Sequence, residues 1–128
     1  MGEIAKPQIR SYRDLHVWQR GMDLVVASYE LVKRLPPQEK YGLVSQIQRA
    51  AVSVPANIAE GHGRRHLGDY LHQLSVANGS LRELETHLLI ANRLSYLKIS
   101  EIEPVLAMTT DVGRMLTALT QRLKMKQI

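Results

Sequence analysis

Arg49–Arg65 reads RAAVSVPANIAEGHGRR, and the fold turns on whether Pro55 ends a helix or lies inside one. A proline within a helix removes the bond to the carbonyl four residues back, here Ala51, and its ring crowds that carbonyl. Yet Val54 and Ile58 continue the apolar spacing in phase across the proline. The stretch therefore reads as one helix, kinked at Pro55, with Ser53 close enough to bond a backbone group beside the kink. Its small residues Ala50, Ala51, Ser53, Ala56 and Ala59 form a stripe that lets another helix approach. Gly79 and Ser80 form a matching stripe further on. A mid-helix glycine costs about 1 kcal/mol against alanine, and close packing would account for Gly79. Gly61 reads as a left-handed C-cap, Gly63 as a loosener of the turn, and Arg64 and Arg65 as a basic tip.

Working outward, three further segments carry helical spacing. Leu15, Trp18, Met22, Val25, Tyr29 and Val32 form a first seam, with Ser11 or Asp14 as its cap and Leu35–Pro37 as its stop. The second helix, opening at Pro37, where proline suits the first helical position, carries Val44, Ile47, Ala51, Val54 and Ile58. The third, from about Leu67 to Leu94, carries Leu74, Ala77, Leu81, Leu84, Leu88 and Ala91. The fourth opens at Ser100 with Glu103 completing a capping box. Its seam is Ile102, Val105, Thr109, Val112, Leu116, Leu119 and Leu123. Nothing reads as a strand. The expected fold is all-α: an antiparallel up-down-up-down four-helix bundle with short connections. Residues 1–12 read as a flexible arm, 13–124 as the bundle and 125–128 as a basic tail.

The 128 residues suit one domain, and at 45% hydrophobic they can bury a core. With no cysteine there is no disulfide or thiolate chemistry. No apolar leader is visible at the N-terminus and no run reaches a membrane span, so a cytoplasmic protein is expected. Asn78–Ser80 matches a glycosylation acceptor, which has no meaning without secretion.

Polar residues near the seams admit two readings. Asn57, Glu60 and Glu85 could form a polar site inside the bundle. The favoured reading is a hydrogen-bonded clasp between helices two and three, with Arg49 a candidate member, because a buried carboxylate needs a partner. Gly61-His62-Gly63 lacks the third glycine and the preceding strand of a dinucleotide fingerprint. A phosphate cradle at the start of the third helix stays open. The five histidines suggest metal, but His62 and His66 straddle a loop, Asp69 and His72 make a lone Asp-x-x-His, and His16 and His87 lack neighbouring ligands. A di-iron bundle needs two Glu-x-x-His motifs. No metal, no cofactor and no enzyme activity are expected.

The net charge of +5 becomes informative once the topology is drawn. Lys6, Arg10 and Arg13 against Glu3, then Arg64 and Arg65, then Arg122, Lys124 and Lys126 all fall at one end of such a bundle. These segments sum to +7, leaving −2 elsewhere. Basic residues do favour helix C-termini, which accounts for Arg122 and Lys124 but not for Arg10, Arg13 and Arg65. An anionic partner is expected. Aromatics are scarce there, only Tyr12 and Tyr70, so backbone contact fits better than base stacking. No helix is both basic and amphipathic enough to prefer a membrane.

The stretches SQIQRAAVSVPANIAEGHGRR, GSLRELETHLLIAN, LSYL and YRDLHVWQRGMDLV together resemble the 23S rRNA intervening-sequence proteins. The resemblance runs from about Tyr12 to Leu123, and its most specific part is Val54 to Gly61. Tyr12, Gln48 and Ser95 depart from residues common in that family, which has phenylalanine, arginine and glycine there. Gln48 removes a positive charge from helix two, and Ser95 changes the turn into Tyr96-Leu97.

The resemblance implies a small basic bacterial four-helix bundle that forms a ring-like homo-oligomer, a pentamer. It also implies a fold similar to accessory proteins of diversity-generating retroelements, which associate with a reverse transcriptase and nucleic acid. No catalytic residue carries over. Asn57, Glu60, Gly61, Gly63, Arg64, Ser80 and Glu85 carry over as signature positions only. Apolar residues beyond the seams, namely Val17, Val26, Leu31, Leu43, Leu71, Leu89, Ile90, Leu106, Met108 and Met115, suit an oligomer.

The function expected is a non-enzymatic homo-oligomer binding RNA or DNA backbone through Arg10, Arg13, Arg64, Arg65, Arg122, Lys124 and Lys126. The alternative is a protein-interaction scaffold or an accessory subunit of a nucleic-acid enzyme, such as a reverse transcriptase.

Overall fold

The computed structural model describes residues 8–126. Four α-helices account for most of them: α1 His16–Val32, α2 Leu43–His62, α3 Leu67–Arg93 and α4 Ile99–Met125. Short 3-10 turns at Tyr12–Asp14 and Pro37–Glu39 precede α1 and α2. No strand occurs among the described residues, and the four helices pack as a bundle around one core. Most of the N-terminal arm and the last two residues of the tail lie outside the described residues, Lys6 and Glu3 among them.

Across neighbouring helices, rising numbers on one meet falling numbers on the next. Gln73 of α3 lies beside Gly61 and Ser80 beside Ser53. On α4, Asp111 pairs with Arg20 and Glu101 with Arg34. The connection between α2 and α3 therefore falls at the end that holds the start of α1 and the close of α4.

The seams of α2, α3 and α4 are the expected ones. Ile47, Ala51, Val54 and Ile58, the six named residues of α3, and Ile102 to Leu119 of α4 are buried, while Val44 and Leu123 are partly so. α1 differs. Its buried stripe is Val17, Gly21, Leu24, Ser28, Leu31 and Val32; of the expected seam Val32 is buried and Leu15, Trp18 and Val25 pack partly buried against the core, but Met22 and Tyr29 are each 41% exposed. Two of the residues that face the core are a glycine and a serine, which an apolar count passes over. Gly21 is where α1 comes close to α2: a Cβ there would lie 3.4 Å from the Cβ of Pro55. The small-residue approach expected between α2 and α3 forms at Ser80, which is buried against Ser53, but not at Gly79, which is exposed with nothing within 4 Å of an added Cβ.

α2 runs through Pro55 without interruption. Ser53 does not bond its own backbone beside the proline. Its hydroxyl meets that of Ser80 at 2.8 Å, and the Asn57 amide donates to the Ser53 hydroxyl (2.9 Å) and carbonyl (2.7 Å).

Three helix starts differ from expectation, each for a local reason. Ser11 and Asp14 do cap, but they cap the 3-10 turn. The Arg13 N–H donates to the Ser11 hydroxyl and the Arg10 N–H to the Asp14 carboxylate, at 3.2 and 2.9 Å. α2 opens at Leu43 and not at Pro37, which starts only a single turn. The Glu39 carboxylate bridges that turn to the helix by accepting the Leu43 N–H at 3.1 Å. α4 opens at Ile99, and the carboxylate that turns back is Glu101, accepting the Lys98 N–H at 2.9 Å.

Candidate nucleic-acid interface

The end of the bundle where α2 passes into α3 gathers the basic residues. Arg64 and Arg65 sit in the α2–α3 connection, Arg10 and Arg13 beside the turn that precedes α1, and Arg122, Lys124 and Lys126 at the close of α4. All seven are exposed. Ile9, His16 and Arg122 line one surface cleft, which joins the chain's start to the end of α4. Tyr70 joins the α2–α3 connection to the same place. Its ring packs edge-on against His62 at 5.9 Å. Burial raises the phenol above its ordinary value, and the nearby Arg122 charge pulls it part of the way back. Tyr12 packs its edge against Trp18 at 5.3 Å, with the Arg13 guanidinium 5.8 Å from the Tyr12 ring centre.

Carboxylates dilute this charge. Arg64 forms an ion pair with Glu60, one helical turn earlier in the chain. Asp14 accepts the backbone N–H groups of Arg10 and Ser11, which holds its carboxyl below the usual range. Asp69 stands in the first turn of α3. Arg65, Arg122, Lys124 and Lys126, by contrast, make no ion pair with any described residue.

The turn itself corrects two readings. Gly61 lies inside α2, and no described glycine has a positive φ. Its role is spatial: an added Cβ would stand 2.8 Å from Gln73 Cβ and 3.0 Å from the Tyr70 ring. Gly63 is the residue that closes α2, with ordinary right-handed angles. The left-handed conformation belongs to Ser95 after α3, at φ 64.

The polar clasp expected between α2 and α3 is built from other residues. Ser53 and Ser80 tie the two helices, while Asn57 bonds only Ser53 of its own helix and Glu60 pairs with Arg64. Glu85 turns to α4, accepting the Thr109 hydroxyl at 2.7 Å and Arg82 at 2.7 Å, and Arg49 takes no part in either. Glu85 thus belongs to a link between α3 and α4, because its place on the helix faces away from α2. Among the described residues no three metal-ligating side chains come together. His87 is largely buried with neither ring nitrogen hydrogen-bonded, and Glu83 stands 3.5 Å from it.

Of the apolar residues set outside the seams, Val17, Leu31 and Leu43 are core, and Leu71, Leu106, Met108 and Met115 are partly buried. Val26, Leu89 and Ile90 are exposed. With them go Met22, Tyr29 and Val52 on α1 and α2 and Leu94 just after α3, giving one exposed apolar group on α1 and α2 and another at the close of α3. No helix among the described residues is long and apolar enough to cross a membrane.

The family model described as 23S rRNA-intervening sequence protein matches residues 13–118. Among solved structures, the chain is similar to a protein of unknown function from the S23 ribosomal protein family of Bacteroides thetaiotaomicron VPI-5482. The two share 21% identity over 81% of this chain and 97% of that one, at a TM-score of 0.73. Among curated proteins, none matches the chain.

Proposed function

This chain belongs to the 23S rRNA-intervening sequence protein family, and on that premise we propose that it is a non-enzymatic homo-oligomer that binds nucleic-acid backbone through the basic end of its bundle. One observation carries the reading: Arg65, Arg122, Lys124 and Lys126 come from two distant chain segments to one end, exposed and free of ion pairs with described residues. Cations that satisfy no carboxylate of their own remain available to phosphate. Arg10, Arg13 and Arg64 flank them, the last already shared with Glu60. The aromatic rings here pack against one another, which favours backbone contact over base stacking.

Assembly follows from the two exposed apolar groups. The stripe Met22, Val26 and Tyr29 with Val52, and the separate group Leu89, Ile90 and Leu94, suit a head-to-tail contact that closes into a ring. A ring repeats the basic end around its axis, so several weak contacts act together on one polyanion.

The test is fluorescence anisotropy with labelled structured RNA and duplex DNA at several salt concentrations, comparing wild type with Arg64→Ala/Arg65→Ala. Binding with a steep salt slope that shrinks in the double variant, at unchanged oligomeric state, is expected. Absence of binding to either ligand at low salt would refute the reading and turn attention to a protein partner.

A further inference from the structure

Between α3 and α4 runs a surface groove that the basic end does not include. It consists of two adjoining cavities of about 390 and 560 Å³ that share Asn78, Thr117 and Gln121. Its cations are Lys124 at one end, then Arg114 and Arg82. No carboxylate lines either cavity. Asn78 and Gln121 present side-chain amides that form no hydrogen bond with a described residue, whereas the Thr117 hydroxyl is used on the Gly113 carbonyl.

Gly113 gives this groove its shape. It lies buried in mid-α4, where glycine is a poorer helix former than alanine. A Cβ there would stand 2.9 Å from Nη2 of Arg82 and make only ordinary contact with Leu81. The bare α carbon thus makes room for a guanidinium against the α4 backbone, where its other nitrogen is held by Glu85 at 2.7 Å. Arg114 beside it is exposed and pairs with no described carboxylate.

We propose that this groove carries the sugar-phosphate backbone of a single nucleic-acid strand, leading it from the basic end at Lys124 past Arg114 to Arg82. The proposal rests on the nucleic-acid reading above and extends it to residues outside that end. From Lys124 to Thr110 α4 covers about 21 Å, at ~1.5 Å per residue. The groove lies between two helices packed side by side, and its cations offer contacts to the phosphates of one strand. With no aromatic in its lining, the groove offers phosphate and sugar contacts without base stacking.

The experiment uses the full-length protein and a labelled oligothymidylate of about twenty nucleotides, titrated from low to moderate salt. Removing one phosphate-binding cation lowers the salt slope for a single strand by about 0.7, which is roughly fivefold in affinity at 0.1 M salt. Arg114→Gln is expected to weaken binding by that much, Arg82→Gln/Arg114→Gln by about twice as much on the logarithmic scale, and Arg114→Lys to restore the slope. Arg114 is exposed, so its single variant keeps the test valid if the double variant is unstable. Wild-type binding by both groove variants, alongside weakened binding in Arg64→Ala/Arg65→Ala, would overturn the groove and leave the basic end standing. Weakened binding in the groove variants with none in Arg64→Ala/Arg65→Ala would support the groove and overturn the role given to those two arginines. No binding by the wild type would overturn both and favour an acidic protein surface as the partner.

Discussion

Two residues show how a position is decided by the space and angles around it. Ser95 follows α3 with φ 64, a conformation that costs a side chain about 1–2 kcal/mol and glycine nothing. It persists because the turn is closed by two bonds, Tyr96 N–H to Ala91 O at 3.0 Å and Ser95 N–H to Asn92 O at 2.9 Å. Ser95→Gly is expected to stabilise the protein by about 0.5–1 kcal/mol, the gain reduced by the freer unfolded chain, as read by urea denaturation. Gly61 is the opposite case. Its angles are ordinary, but Gln73 and Tyr70 occupy the place of a Cβ. Gly61→Ala is expected to cost about 1–2 kcal/mol despite the better helix propensity of alanine, measured in the same way. The sequence marks both sites as turn positions, yet it cannot tell a glycine kept for its angles from one kept for its small volume. That distinction depends on the neighbouring helix.

At the scale of elements, the helix starts are held by carboxylates that also reach across the bundle. Glu39 caps α2 and accepts the Tyr96 hydroxyl at 3.1 Å, tying the α1–α2 connection to the α3–α4 connection. Glu101 accepts the Lys98 N–H and pairs with Arg34 at the end of α1. The Lys98 bond first, then Arg34, holds the Glu101 carboxyl below its ordinary value of 4.5. A carboxyl depressed by folding adds stability above its ordinary value and loses it as pH falls through the lower, folded one. Glu101→Gln is therefore expected to lower the Tm at neutral pH, with the gap to wild type closing as pH drops below about 4.5, in thermal scans followed by circular dichroism. Capping by side chains four or fewer residues away is legible in sequence. The choice of Glu101 over Glu103, however, depends on where Arg34 arrives from α1.

Across the whole molecule, charge is gathered at one end and along one groove, while carboxylates such as Glu101 and Asp111 pair with arginines of α1 and its C-terminal turn elsewhere. A ligand that binds only the folded protein raises its stability by about 2.7 kcal/mol when present at 100 times its Kd. Adding a polyanion at low salt is thus expected to raise the Tm of the wild type, and to raise that of Arg64→Ala/Arg65→Ala less. An equal rise in both, seen by scanning fluorimetry, would locate the binding away from those arginines. Assembly belongs to the same scale. Val26→Glu on α1 and Leu89→Glu on α3 are each expected to shift sedimentation toward smaller species, because the head-to-tail contact proposed for assembly needs both groups.

The four helices, the seams of α2, α3 and α4 and the basic end are all legible in the amino-acid sequence, because each is written in residue spacing or in order along the chain. The continuity of α2 through Pro55 is legible for the same reason, since the apolar positions stay in phase across the proline. The remaining features arise only when the helices pack. The inner face of α1 runs through Gly21 and Ser28, which carry no hydrophobic signal; both are buried, and Gly21 lies against Pro55 of α2. Glu85 answers to Thr109 and Arg82, and the groove of Arg82, Gly113 and Arg114 joins residues from two helices. No spacing along one segment encodes the place where another will lie.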